Sequence, residues 1–230
     1  MNSQTTVALA GHREFKLTRR TPPAKQSRVG VLKDAWKNGM PHTYLSREVN
    51  VWRIKNIPNL FRGLGKIAFA QLMGIPVHFG RVYLTATRDG KSIPLGVASY
   101  RVVTTAGVNF IVDAFQASAT ISNMKYHGFG TGTTAEAITQ TALITELTTE
   151  YASNNTRPTG TQTEGATANI YRTVGTLSPD ATVAITEHGI FDQAANSGGT
   201  LLDRTVFSAW NMVSGDSLAV TYDVTFAAGS

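Results

Sequence analysis

GRVYLTATRDGKSIPLGVASYRVV, residues 80–103, is where the period of this sequence settles at two. Val82, Leu84 and Ala86 fall on one side of an extended chain, and Arg81, Tyr83, Thr85 and Thr87 on the other. That alternation is what a half-buried strand requires. Asp89 and Gly90 follow, two residues that tolerate positive φ, so a tight hairpin is predicted with a returning strand ending near Val103.

Downstream the same punctuation repeats. In TTAGVNFIVDAFQAS (104–118), Val108, Ile111, Val112 and Phe115 recur at helical spacing behind a Thr104 or Thr105 N-cap. Strands are predicted at 124–130, 168–177, 182–191, 199–210 and 216–226, separated by SPD, NSGG and SGD turns. The last alternates most cleanly, with Leu218, Val220, Tyr222, Val224 and Phe226 opposed to Ala219, Thr221, Asp223 and Thr225. The threonine-rich stretch 131–167 is read as a short helix near 135–147 and then an extended loop. Roughly seven strands with one good helix, and no βαβ alternation, make residues 77–230 a mainly β domain. The architecture expected is an antiparallel β-sandwich, jelly-roll-like, with one or two short helices.

Upstream the composition is different. Residues 1–75 carry thirteen Lys+Arg against three Asp+Glu, a balance of +10. The remainder carries eight against twelve (21 − 13 and 15 − 3), a balance of −4. Residues 1–76 are therefore read as an extended basic arm; Pro22 and Pro23 forbid a helix around them. Leu60, Phe61, Leu64, Ile67, Ala68 and Leu72 share one helical face, which predicts a short amphipathic helix over 59–73. The arm interleaves cations with aromatics, and exposed indoles gain nothing from water. The candidate partner-binding residues are Arg13, Lys16, Arg19, Arg20, Lys25, Arg28 and Trp36, followed by Tyr44, Trp52, Arg53, Phe61, Arg62 and Phe69. Such a segment fits nucleic acid or an acidic protein surface, and the anchoring aromatics favour protein.

Composition narrows the chemistry. The absence of cysteine excludes disulfides, thiolate metal sites and a cysteine nucleophile. Charged residues make up 16%, below the usual quarter or so, and threonine, glycine and alanine fill the gap. MNSQTTVALAGHREFK lacks the basic and apolar regions of a signal peptide, and IAFAQLMGIPVHF is too short to span a bilayer.

HGFGTGTTAE (127–136) invites a phosphate reading, but it has neither the G-x-G-x-x-G spacing nor the lysine of a P-loop. His127 and His188 each precede a glycine, and neighbouring strands would bring their imidazoles together near Glu187; a metal would need a third ligand. There is no G-x-S-x-G elbow, and Asp89, Glu164, Asp180, Asp203 and Asp216 are read as single carboxylates on surface turns. No catalytic, cofactor-binding or metal-binding residue is assigned.

RVVTTAGVNFIVDAFQ (101–116), MKYHGFGTGTTAEA (124–137), NIYRTVGTL (169–177), AITEHGIFD (184–192) and GTLLDRTVFSAWNMVSGDSLAVTYDVTF (199–226) resemble a group of tailed-bacteriophage virion structural proteins. The resemblance covers about residues 80–230 and implies no catalytic residues. It implies a capsid cement or decoration protein, or a tail, fibre-base or portal-associated one. The expectation is a virion protein, a homo-oligomer such as a trimer or dimer, whose arm clamps the major capsid protein through aromatic anchors, charge and strand addition at exposed edges. A nucleic-acid-binding protein and a carbohydrate-acting enzyme are the less favoured readings; no cofactor and no membrane are expected.

Overall fold

The computed structural model describes residues 5–7, 15–17, 44–73, 79–151 and 155–226. The chain divides into two compact units, residues 1–46 and 47–230. In the first, β1 (Thr5–Val7) pairs antiparallel with β2 (Phe15–Leu17), Thr6 opposite Lys16.

The second unit is mainly β. A helix α1 (Tyr44–Leu72) leads into the hairpin β3 (Phe79–Arg88) and β4 (Lys91–Val102), and then α2 (Thr105–Phe115). A 3₁₀ turn (Ile121–Asn123) precedes β5 (Tyr126–Gly130), β6 (Thr161–Glu164), β7 (Ile170–Leu177), β8 (Val183–Phe191), β9 (Leu201–Met212) and β10 (Ser217–Thr225). These eight strands form two antiparallel sheets, five strands in the order β4-β3-β10-β7-β6 and three in the order β5-β8-β9.

The hairpin read from residues 80–103 forms as expected. Val82, Leu84 and Ala86 are buried, and Asp89 (φ 52°) and Gly90 (φ 71°) make its turn. β4 lies at the end of its sheet, which is where Pro94, lacking an N–H, is tolerated. β10 runs through the centre with Leu218, Val220, Tyr222 and Val224 inward. On its other side Arg172 grips Asp223 at 2.7 and 3.0 Å, and Arg81 joins from β3, an ion ladder across three strands that fixes their register. Side chains join the sheets where they face each other: Tyr222 Oη donates to Asp203 Oδ2 (3.1 Å), and a His127 ring nitrogen lies 3.2 Å from the Thr173 hydroxyl.

Three expectations are corrected. The helix predicted over 59–73 runs from Tyr44 and passes through Pro58, Gly63 and Gly65, which isolated propensity would penalise; its side chains bond to the sheets along its length. Residues 47–76 fall in the same compact unit as the sheets. No helix forms over 135–147; that stretch consists of turns and bridges. β6 escaped the pattern because TQTE offers no apolar alternation.

Both helices also turn an unexpected face to the sheets. Thr104 caps α2, accepting from Gly107 N at 3.0 Å, but the buried positions are Gly107 and Phe110. Val108, Val112 and Phe115, three of the four residues of the predicted stripe, point outward. In α1 the buried positions are Val49, Trp52, Asn56, Gly63 and Ile67. The common cause is a close backbone approach. A Cβ at Gly63 would run into the Tyr100 carbonyl, and one at Gly107 into the Leu202 backbone.

This contrast is testable. Gly63→Ala should lower the urea unfolding free energy by about 1–3 kcal/mol, since a rigid backbone has to move. Gly65→Ala, with nothing within 4 Å of the added methyl, should raise it by up to about 1 kcal/mol through helix propensity. Equal effects of the two substitutions would contradict the docking described.

Candidate interaction surface

α1 closes the join between the terminal strands of the two sheets, β4 and β9. Asn56, fully enclosed, donates from Nδ2 to Ala98 O of β4 (2.7 Å) and accepts at Oδ1 from Ser208 N of β9 (3.0 Å). Trp52 Nε1 donates to Ser208 O (2.6 Å), and its ring tilts against Phe207. Arg53 donates to Leu95 O (2.9 Å) and Pro94 O (2.6 Å). These acceptors and donors are main-chain groups of edge strands, which would otherwise invite pairing with another chain. Strand addition, expected at exposed edges, therefore meets α1 at these positions.

The candidate partner-binding residues separate accordingly. Arg13, Arg19, Arg20, Lys25, Arg28 and Trp36 lie outside the described residues; Lys16 falls in β2 and Tyr44 opens α1, with only their backbone described. Trp52, 3% exposed, anchors the chain's own fold instead of a partner, and Arg53 is bound to β4. Arg62 reaches Glu136 at 3.5 Å. Phe61 and Phe69 remain outward, 70% and 65% exposed.

They do not stand alone. Ile54, Ile57, Leu64 and Leu72 are exposed on the same helix, and the apolar stripe read over 59–73 thus lies mostly in solvent. α2 adds Val108, Val112 and Phe115, the last 87% exposed. Apolar side chains exposed in this number make the outward face of α1 the candidate contact surface.

The loop 127–136 has a different task. Glu187, on β8, points away from the five-stranded sheet and is fully enclosed. It accepts from Gly132 N (3.0 Å), Thr145 N (2.7 Å) and Ile144 N (3.1 Å), and from Arg204 Nε (2.7 Å). Gly130 and Gly132 pass so close to this carboxylate that a Cβ on either would collide with it. Those glycines make room for the Glu187 side chain, and the stretch after them wraps around it. Leu143 completes the wrap against Phe191 and Leu201.

His127 and His188 do meet, Nδ1 to Nε2 at 3.0 Å, because β5 and β8 pair. Glu187 is the next residue on β8 and so faces the opposite side. No group of three potential ligands gathers among the described residues. Two of the carboxylates read as lying on surface turns are buried: Asp203 inside β9, and Asp216, which Arg88 holds at 2.8 and 3.0 Å. No family model matches this chain, and no curated protein matches it.

The enclosed groups set a pH profile. Burial pushes Asp203 up to about 8 against the pull of Arg101, and pushes His127 down to about 3; burial and His127 together hold His188 well below its usual value. From about pH 3.9 to 8 the folded chain keeps a proton on Asp203 that the unfolded chain has released, so stability falls as pH rises through that window. Below about 6.5 the unfolded imidazoles bind protons that the folded pair refuses, so stability also falls as pH drops. A maximum near pH 6–7 is predicted, because below about 6.5 the two imidazoles outweigh the one carboxyl and above it the carboxyl alone acts. Asp203→Asn should gain on the parent chain from pH 5 to 8, by at most about 1.4 kcal/mol per unit. A urea series in which the gap does not change with pH would contradict this.

Proposed function

We propose that the chain is a non-enzymatic structural protein of a tailed-phage virion, a capsid cement or decoration protein. The observation that carries this reading is the outward apolar face of α1, Ile54, Phe61, Leu64 and Leu72, on a helix whose other face is fully engaged by the sheets. A rigid body with one adhesive side is what a shell-clamping protein needs. The motif resemblance over residues 80–230 supports the same class. In this reading the two sheets form a sandwich, jelly-roll-like in that the chain crosses repeatedly between them. The chain acts as a trimer or dimer, and its partner is the major capsid protein, whose acidic surface attracts the basic residues 1–43. The alternative is a tail, portal or fibre-base component using the same surface.

The truncation that tests this stops at residue 43, because α1 fills the join between the sheets. A chain starting at Tyr44 should keep its urea midpoint and lose at least about tenfold in affinity for purified particles depleted of the protein, the arm's charge being gone. Equal saturation by the truncated and full chains would refute the clamping role. Capture by isolated tails or portals in place of shells would favour the alternative. Binding that collapses with modest salt and follows DNA would point to nucleic acid.

A further inference from the structure

Three features of α1 converge on one kind of partner. First, Ile54, Ile57, Phe61, Leu64, Ala68 and Leu72 recur at steps of three and four residues along the outward face. That is close to the seam by which one helix packs against another. Gly65 leaves an open notch beside Leu64, with nothing within 4 Å of where a Cβ would stand.

Second, the seam is bordered on one side by cations. At about 100° per residue, Lys55, Arg62 and Lys66 fall on a single flank, between the outward seam and the docked face. Glu48 is the acidic residue of α1, and it is engaged with Arg88 at 3.2 Å. A second copy of α1 would set like charges against each other. Residues 1–43, with eight Lys+Arg and two Asp+Glu, carry the same sign.

Third, this flank leads to a small cavity of about 30 Å³ lined by Gly63, Lys66, Arg101, Glu136, Ile138 and Arg204. Arg101 is 4% exposed and shares its Nη2 with Glu136, while its Nε and Nη1 have no hydrogen-bond partner among the described residues. Lys66 is exposed and lines this cavity, so it is the cation that an incoming carboxylate meets. The cavity has room for a small acceptor such as a carboxylate oxygen.

We propose that the outward face of α1 receives an acidic amphipathic helix of a different protein, and that one carboxylate of that helix enters the Lys66–Arg101 cavity. This rests on the reading of the chain as a partner-binding structural protein, and it specifies the partner's chemistry. The apolar seam supplies area, the cationic flank selects sign, and the cavity fixes register.

The full chain is titrated with two synthetic stapled helices of about three heptads that share a Leu/Ile seam, one flanked by Glu and one by Lys. The Glu-flanked helix should bind at least about tenfold tighter. Phe61→Ser/Leu64→Ser, both exposed and so harmless to the fold, should remove most of that binding; Lys66→Glu should abolish the preference. The urea midpoint of each variant is the fold control. Equal binding of both helices would overturn the proposal. So would tighter binding to phosphatidylserine vesicles or to single-stranded DNA. Particle binding is measured in parallel. If particles take up the parent chain and the Phe61→Ser/Leu64→Ser chain alike, the proposed helix site fails and the virion reading survives. If the helix preference holds but particles ignore the parent chain, the virion reading fails and the site stands.

Discussion

The side-chain amide of Asn56 joins two sheets that otherwise end in open edges. Its Nδ2 satisfies a carbonyl of β4 and its Oδ1 an N–H of β9, so one residue of a helix takes the place of a neighbouring strand for both. Removing either half would leave a buried main-chain group without a partner, a loss of about 1–3 kcal/mol each. The position of this amide also decides how α1 is rotated. With Asn56 and Trp52 inward, Gly63 must pass the Tyr100 carbonyl, and Ile54, Phe61 and Leu64 have no course but outward. The outward apolar face follows from the way the edges are closed.

A second enclosed polar group organises the opposite side of the small sheet. Glu187 draws in three backbone N–H groups from residues 132–145 along with the Arg204 guanidinium, and a loop with few large apolar side chains is held in one conformation. Between the sheets lies a separate polar set, His127, His188, Asp203, Tyr222 and Thr173. Such interiors favour one arrangement over its near neighbours, because a shifted register strands several groups at once. They also make the chain sensitive to pH from both directions.

Much of the β architecture was legible because it is written in period two. Residues 80–103 and 216–226 alternate cleanly, and the Asp89–Gly90 turn carries its own chemistry. The His127–His188 encounter followed from two histidines placed before glycines on strands that proved to be neighbours. The helices were found but their orientation was not. Periodicity assumes that the largest apolar stripe faces the core, whereas here glycines and an asparagine do, for reasons that depend on a carbonyl more than thirty residues away. Asn56, Lys66, Arg101 and Glu136 matter through distances in space, and no local pattern marks them. Glycine on a helix face opposite an apolar stripe is the one signal that would have raised the question.

The central claim is that the face of α1 turned outward by Asn56 and Gly63 is the surface that meets a partner. Hydroxyl-radical footprinting reads this side chain by side chain on the intact chain, free and mixed with the phage particles proposed as its partner. In the free protein Phe61, Phe69 and Met73 should oxidise readily, and Trp52 should be spared. On the particle Phe61 and Phe69 should become protected while Trp52 stays as it was. Unchanged oxidation of Phe61 and Phe69 on saturated particles would contradict the account.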